Sequence, residues 1–309
     1  MGRGKFFGRE PSGRRWFHLS SRAFNRRIGN QFFQYAVGRS LAIRHKGELL
    51  LDDSLLRQRR FGVTPRDYEL GVYNIRARKL NPDEASYLQY LVRRPFRYLY
   101  TAGLKKSNFT YYREPHFEYD SRLHQLAGDL ILEGYWQSER YFSDIANEIR
   151  RELQPINLLD VNAQEYLSQI LRENSVGLHV RRGDYISNST VVKNHVICDL
   201  AYYKRAVSVV AKWVTNPVFF VFTDDPAWVT KKFRIDFPMV LVSRLNTWPA
   251  YDDLRLMSNC AHNIIANSSF SWWGAWLNSN PKKIVVAPFR WFRAGKNTQD
   301  LIPPEWNLV

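Results

Sequence analysis

His179, Arg181, Arg182 and Asp184 crowd into one short stretch, GLHVRRGDY (177–185). Two adjacent guanidiniums repel each other and lose hydration on burial, so the set is unfavourable without an anion to meet it. Arginine's planar fork matches phosphate oxygens in pairs, which makes a phosphate the natural partner. Two other stretches carry usable chemistry: Thr223-Asp224-Asp225 after PVFFVF, and Asn267-Ser268-Ser269 after HNIIA. Hydroxyls and backbone N–H groups at a helix start bind anions; the simpler use of the same residues is an N-cap. Paired aspartates near a diphosphate could hold Mg²⁺. The alternative, preferred here, is that one caps the helix opening at Pro226 and the other pairs with an arginine. His179 could equally be a satisfied core histidine. Arg182-Gly183-Asp184 would act as an adhesion tripeptide only in an exposed loop of a secreted chain.

All three clusters close apolar runs that read as strands. In the second half, strands at 175–180, 217–225, 239–243, 262–267 and 283–288 alternate with helices at 161–174, 200–214, 226–237, 252–260 and 269–278. Strict alternation with short apolar strands predicts a parallel, doubly wound sheet. Ligands of such sheets lie beyond the carboxyl ends of the strands, where these clusters fall. In the first half, Gly29-Asn30 is a turn signal opening a helix that Gly47 stops, followed by a strand at 48–52. A second strand is expected at 129–136 and a helix at 138–155, ended by Pro155. Residues 53–127, rich in Arg, Tyr and Pro, read as irregular loops and short helices. The division expected is a disordered or loosely docked basic arm over 1–24, an α/β domain over 25–157 and a second over 158–309.

A chain of 309 residues suits two domains, and ten tryptophans argue against extensive disorder. Cys198 and Cys260 sit in apolar runs and read as buried thiols, without the spacing of a disulfide framework or zinc site. No window is apolar for long enough to span a bilayer, and the basic N-terminus lacks the apolar core of a signal peptide. The expected location is therefore the cytoplasm. A net charge of +16, with much of the excess before residue 110, implies an anionic partner: nucleic acid, an acidic membrane surface or a phosphorylated substrate. No GxGxxG and no Walker A loop is present, which argues against a dinucleotide enzyme or a P-loop NTPase.

HVRRGDY (179–185) resembles the His-x-Arg-Arg-x-Asp signature of fucosyltransferases. Together with IGNQFFQYAVGRSLA (28–42), EGYWQSERYF (133–142) and NIIANSSFSWWGAWLN (263–278), in the same order, it resembles the bacterial α-1,2-fucosyltransferase family, glycosyltransferase family 11. More distantly it is similar to α-1,6-fucosyltransferases and protein O-fucosyltransferases.

The resemblance implies a GT-B fold, two Rossmann-like domains facing across a cleft, with GDP-β-L-fucose held mainly by the second. It implies inverting, metal-independent transfer of fucose to a sugar hydroxyl. Arg181 would contact the β-phosphate; Arg182 would orient the loop and pair with Asp184 or Asp224. His179 and Asp253 match guanine-side contacts, and Ser268 and Ser269, beside Asn267, match pyrophosphate-binding hydroxyls. Gly29 and Asn30 match a turn facing sugar and phosphate from the first domain; Arg26 and Arg27 before it depart from the family's usual glycine. No catalytic base is assigned. The expected activity is that of a galactoside α-1,2-fucosyltransferase acting on a cell-surface glycan precursor of O-antigen or capsule type. Its acceptor could be lipid-diphosphate-linked, and its basic first half could rest on anionic headgroups of the inner membrane. An α-1,6-fucosyltransferase on chitooligosaccharides is the alternative enzyme. A nucleic-acid-binding protein is the alternative of another class, though the basic residues form no recognisable binding motif.

Overall fold

A computed structural model of the chain describes residues 16–19, 28–54, 68–92, 109–182, 198–244, 248–292 and 297–309. The chain divides into two α/β units, Met1–Leu153 and Gln154–Val309. Residues 154–157, read from sequence as the end of the first domain, thus belong to the second.

The first unit holds a five-stranded sheet with the order β3-β2-β1-β5-β4, all of it parallel. Its strands are β1 (Trp16–Leu19), β2 (Glu48–Leu51), β3 (Arg78–Lys79), β4 (Phe109–Arg113) and β5 (Asp129–Glu133). β1 corrects the sequence reading: four residues assigned to a basic arm form the central strand. Phe17 and Leu19 are fully buried. A four-residue strand covered by neighbours needs only a short apolar alternation, which the surrounding basic residues hid.

Helix α1 (Ile28–Arg44) is buried on nearly every side. Its buried glutamines bond to other elements: Gln31 Oε1 accepts the Glu69 N–H at 3.1 Å, and Gln34 Nε2 donates to the Gly134 carbonyl at 2.9 Å. The helix ends in a Schellman-type turn, with Gly47 N–H bonded to Ala42 O at 2.8 Å. The left-handed residue of that turn is Lys46 (φ 54°), one position before the glycine expected to stop the helix.

Within the stretch read as irregular lie β3, β4 and helix α2 (Pro82–Val92). Helix α2 opens with a reciprocal cap: Glu84 N–H donates to Asn81 Oδ1 and Asn81 N–H to Glu84 Oε2, both at 2.9 Å. The helix expected over 138–155 breaks into two 3-10 turns, Glu139–Tyr141 and Ser143–Ile145, before α3 (Ala146–Glu152). The adjacent Tyr141 and Phe142 are both buried. A regular helix would turn them 100° apart, and the break lets both enter the core.

The second unit follows the predicted alternation closely. Its helices are α4 (Val161–Arg172), α5 (Leu200–Ala211), α6 (Pro226–Lys232), α7 (Ala250–Asn259) and α8 (Ser269–Leu277). Its strands are β6 (Ser175–Val180), β7 (Val218–Thr223), β8 (Met239–Leu241), β9 (His262–Ile264), β10 (Val285–Ala287) and β11 (Asn307–Leu308). They form one parallel sheet in the order β11-β10-β9-β6-β7-β8. Read from the other edge, this is the 3-2-1-4-5-6 order of a dinucleotide-binding sheet, whose strand order reverses between β6 and β9.

Alternate residues of β7 point to opposite layers. Phe219 and Val221 pack with Val207 and Val210 of α5; Phe220 and Phe222 pack with Ala163 and Ile170 of α4 and with Leu256 and Met257 of α7. Each such side chain contributes about 1.5–3 kcal/mol when fully buried. α7 and α8 approach closely enough that a Cβ on Gly274 would lie 2.4 Å from Met257 Sδ and force that side chain to move.

Candidate active site

β6 is buried along its whole length and ends at Val180, so Arg181 and Arg182 emerge where the sheet stops. β6 and β7 are in register, with Val180 opposite Thr223, and the next step sets Arg181 beside Asp224. The Arg181 guanidinium meets Asp224 Oδ2 at 2.7 Å. Asp224 Oδ1 accepts the backbone N–H of Arg182 at 2.9 Å. Asp225 N-caps α6, accepting the Trp228 N–H at 3.0 Å. The paired aspartates thus take the roles preferred from sequence, one as arginine partner and one as cap.

The Arg182 guanidinium carbon sits over the Trp228 ring, 3.8 Å from the ring centroid. Among the described residues its side chain lies nearest the Asp225 carboxylate, at 3.7 Å, and Asp224, one of its two expected partners, receives the Arg182 backbone. The structure also modifies the expected contrast between the arginines. Both lie beside carboxylates, and Arg181 has the tighter ion pair. Asp184 lies outside the described residues, as do Arg26 and Arg27.

On the other side of β6, continuing the β6–β9 register brings Asn267 level with Arg181. Ser268 takes the N-cap position of α8, yet no side chain caps that helix and its first turn holds no acidic residue. The positive end of its dipole and the Ser268 and Ser269 hydroxyls are therefore local means of meeting an anion. Asn267 is a correction to the sequence reading. It is buried, with its amide donating to the Trp291 carbonyl at 3.0 Å and accepting from Cys198 Sγ at 3.5 Å. It positions the turn, and its neighbours present the polar groups.

His179 is buried against Phe270 in the first turn of α8, with ring centroids 5.7 Å apart. Burial pushes its pKa down to about 4, against the opposing pull of the Asp224 carboxylate, so the ring is neutral at pH 7. Its Nδ1 has no hydrogen-bond partner among the described residues. Asp253 stands on α7, where Oδ1 accepts from Trp248 Nε1 at 2.8 Å and Oδ2 from Ser243 Oγ at 3.4 Å. Ser243 in turn accepts the Thr223 N–H at 3.1 Å, tying Asp253 to the end of β7. Burial raises the Asp253 carboxyl to about 6, over the opposing effect of those hydrogen bonds.

Gly29 and Asn30 lie in the first turn of α1, in the other unit. Asn30 Oδ1 accepts from Gln137 Nε2 at 2.7 Å, in the loop beyond β5. That loop is held by Glu114, which accepts the Tyr135 N–H at 2.7 Å and the Trp136 N–H at 2.9 Å. Trp136 is fully buried with φ 58°. Such a conformation at a bulky residue costs on the order of 1–3 kcal/mol and persists only where the surroundings dictate it. Sequence reasoning missed Trp228, Trp248, Ser243, Glu114 and Gln137. Gln137 was inside a quoted motif; Glu114 had no local signal, because its loop partners lie on the next strand's far side.

Comparisons with known proteins agree with this architecture. The profile of Glycosyl transferase family 11 matches residues 98–309. An α-1,2-colitosyltransferase of Escherichia coli is 35% identical, over 90% of this chain and 94% of its own. The Escherichia coli O-antigen biosynthesis glycosyltransferase WbnK is 31% identical, over 90% of this chain and 96% of its own. A mutant of Arabidopsis thaliana FUT1 solved with GDP superposes with a TM-score of 0.52 at 11% identity, covering 88% of this chain and 70% of that one. That likeness shows the fold, the two Rossmann-like units of the GT-B class. With a profile spanning most of the chain and relatives matched almost end to end, the protein belongs to glycosyl transferase family 11.

Proposed function

We propose that the protein transfers L-fucose from GDP-β-L-fucose to O2 of a galactose in a cell-surface glycan precursor, with inversion at the anomeric carbon. The observation that carries this reading is that the strand ends around β6 present both the Arg181 guanidinium, held by Asp224 on the β7 side, and, on the β9 side, the start of α8, whose N-cap Ser268 makes no side-chain capping bond. As the bond from the anomeric carbon to the β-phosphate oxygen breaks, negative charge grows on the departing GDP. Arg181, aimed by Asp224, and the α8 N-terminus with Ser268 and Ser269 stabilise that charge where it develops. The acceptor hydroxyl attacks from the opposite face, forming the new glycosidic bond, and its proton leaves to solvent or to the departing phosphate. Asp253 accepts N–H donors of guanine, with neutral His179 as the second residue read on the base side. The reaction is read as metal-independent, because Asp224 and Asp225 already serve Arg181 and the α6 cap. The acceptor is an oligosaccharide, in one form lipid-diphosphate-linked, met in the cytoplasm at an anionic membrane surface.

A second donor is favoured by one finding, the α-1,2-colitosyltransferase at 35% identity. Colitose lacks a ring hydroxyl that fucose carries, and the same leaving-group machinery would serve both sugars. The test is transfer from GDP-fucose and from GDP-colitose to β-galactosides, with and without EDTA, followed by linkage analysis by NMR. An α-1,2-fucoside formed equally well in EDTA is the expected product. Linkage to O6, loss of activity in EDTA, or turnover of GDP-colitose alone would each overturn the corresponding part. Co-sedimentation with anionic but not neutral liposomes is the expected result for the membrane contact.

A further inference from the structure

We propose that Asn30 and Gln137 form an amide pair that binds the 3- and 4-hydroxyls of the acceptor galactose, and that Glu114 is the positioning residue that sets the pair's geometry. The proposal rests on the galactoside reading above. It starts from the topology of the first sheet, whose strand order β3-β2-β1-β5-β4 reverses between β1 and β5. A crevice beyond the carboxyl ends of those two strands is where such a sheet takes a ligand. Asn30, in the first turn of the helix after β1, and Gln137, in the loop after β5, flank that point. Their amides are joined by the 2.7 Å bond from Gln137 Nε2 to Asn30 Oδ1.

That bond uses one donor and one acceptor. It leaves Asn30 Nδ2 as a donor and Gln137 Oε1 as an acceptor, on half-buried side chains with no other hydrogen-bond partner among the described residues. Each hydroxyl of a sugar both donates and accepts. Two neighbouring hydroxyls complement the pair, one accepting from Nδ2 and the other donating to Oε1. With O2 as the reacting oxygen, the remaining neighbouring pair on galactose is 3-OH and 4-OH. The pair offers an acceptor as well as a donor, which suits hydroxyls better than an acceptor-only phosphate.

The loop carrying Gln137 is pinned to a degree that a mere connection does not need. Glu114 continues the β4–β5 ladder through its N–H to the Glu133 carbonyl at 2.8 Å. Its carboxylate then takes the N–H groups of Tyr135 and Trp136, one on each oxygen. Gln34 of α1 holds the Gly134 carbonyl, and the Ser138 N–H closes onto the Trp136 carbonyl at 2.8 Å. Trp136, left-handed and fully buried, packs edge-on against Tyr141 with centroids 5.6 Å apart. Gln137 follows this fixed point directly, so its amide has little freedom except toward Asn30.

The test is calorimetric titration of phenyl β-D-galactoside, and of its 3-deoxy and 4-deoxy analogues, into the GDP-saturated full chain and its Gln137→Ala and Glu114→Gln variants. Wild-type protein is expected to bind the galactoside and to lose about tenfold in affinity with each deoxy analogue, the scale of one lost hydrogen bond. Gln137→Ala should lose about tenfold for the parent sugar and nothing further for the analogue that removes its partner hydroxyl. Glu114→Gln should weaken the parent sugar in the same direction while GDP affinity stays within twofold in both variants, the scale of an unperturbed site. Equal losses for GDP and galactoside would assign Gln137 a purely structural role and overturn the proposal. So would wild-type protein that binds GDP but not galactoside, or deoxy analogues that bind as well as the parent. Failure of wild-type protein to bind GDP at all would instead sink the functional reading on which this rests.

Discussion

Each unit is a parallel sheet whose strand order reverses once, between β6 and β9 in the second and between β1 and β5 in the first, and the residues flanking the two reversals differ in chemistry. In the second unit the strand ends carry formal charge: Arg181 on Asp224, Arg182 over Trp228 and beside Asp225, and a helix start with no cap. In the first, the residues flanking the β1/β5 reversal include two neutral amides, Asn30 and Gln137, while carboxylates nearby are already engaged: Glu114 on backbone N–H groups, Glu133 with Arg113, and Asp53 with Lys79. The lesson is a division of labour. On the proposed reading, the second unit stabilises the charge that develops on the leaving group, and the Asn30–Gln137 amides of the first recognise the uncharged sugar ring.

The sharpest way to break that comparison is Arg181→Ala. Loss of a charge-stabilising donor at the leaving group should reduce kcat by roughly 10²–10³. GDP calorimetry and a thermal melt would separate this from misfolding, because the Asp224 carboxylate is left without its partner. Near-normal turnover would remove the charged half of the contrast.

Next in size is Gly134→Ala, where the added Cβ would sit 2.5 Å from Glu114 Cβ. The clash should destabilise the first unit by about 1–3 kcal/mol, read by chemical denaturation. Galactoside affinity should fall with it and GDP affinity should not.

Asp253→Asn tests the guanine side by pH. With its carboxyl raised to about 6, Asp253 is ionised at pH 7 and gains a proton as the pH falls through 6. GDP affinity should then weaken by up to about tenfold per pH unit below that point, and the variant should lose this dependence. Stability carries a second sign. Asp253, raised from 3.8, contributes stability that is present below 3.8 and lost as pH rises through about 6. His179, lowered from 6.5 to about 4, contributes stability that is present above 6.5 and lost as pH falls through 4. The two slopes oppose each other, so melting temperature in Asp253→Asn should climb more steeply with pH between about 4 and 6 than in wild type.

The smallest effect is expected from Arg182→Ala. It removes a guanidinium stacked on Trp228 and a long contact to Asp225, worth about 1–2 kcal/mol of local order. Turnover should drop by far less than in Arg181→Ala, measured under the same conditions. A loss equal to that of Arg181→Ala would mean that both guanidiniums meet the leaving group.

The second unit was largely legible in the sequence because its central strands are covered on both faces. SVGLHV and VFFVFT are continuous apolar runs, and the polar residues after them can only be strand ends. The first unit was less so. FTYYR, with half-exposed alternation at a sheet edge, looked like the irregular stretch around it, and β1 was hidden among basic residues. Asn267 looked like a ligand because its type suits one. Only the folded chain shows its amide committed to Trp291 and Cys198.

The sequence by itself determined which residues stand at the ends of buried strands, since hydrophobic runs and their polar terminators are local properties of the chain. It also determined the phosphate-seeking character of that set, through the types Arg, Ser and Asp in one neighbourhood. Tertiary structure alone decided the pairings: Arg181 with Asp224, Arg182 with Trp228, Asp253 with Trp248 and Ser243, and Asn30 with Gln137 under the hold of Glu114. Most of these contacts join residues far apart in the chain. Their geometry depends on sheet register and helix packing, which no local pattern encodes.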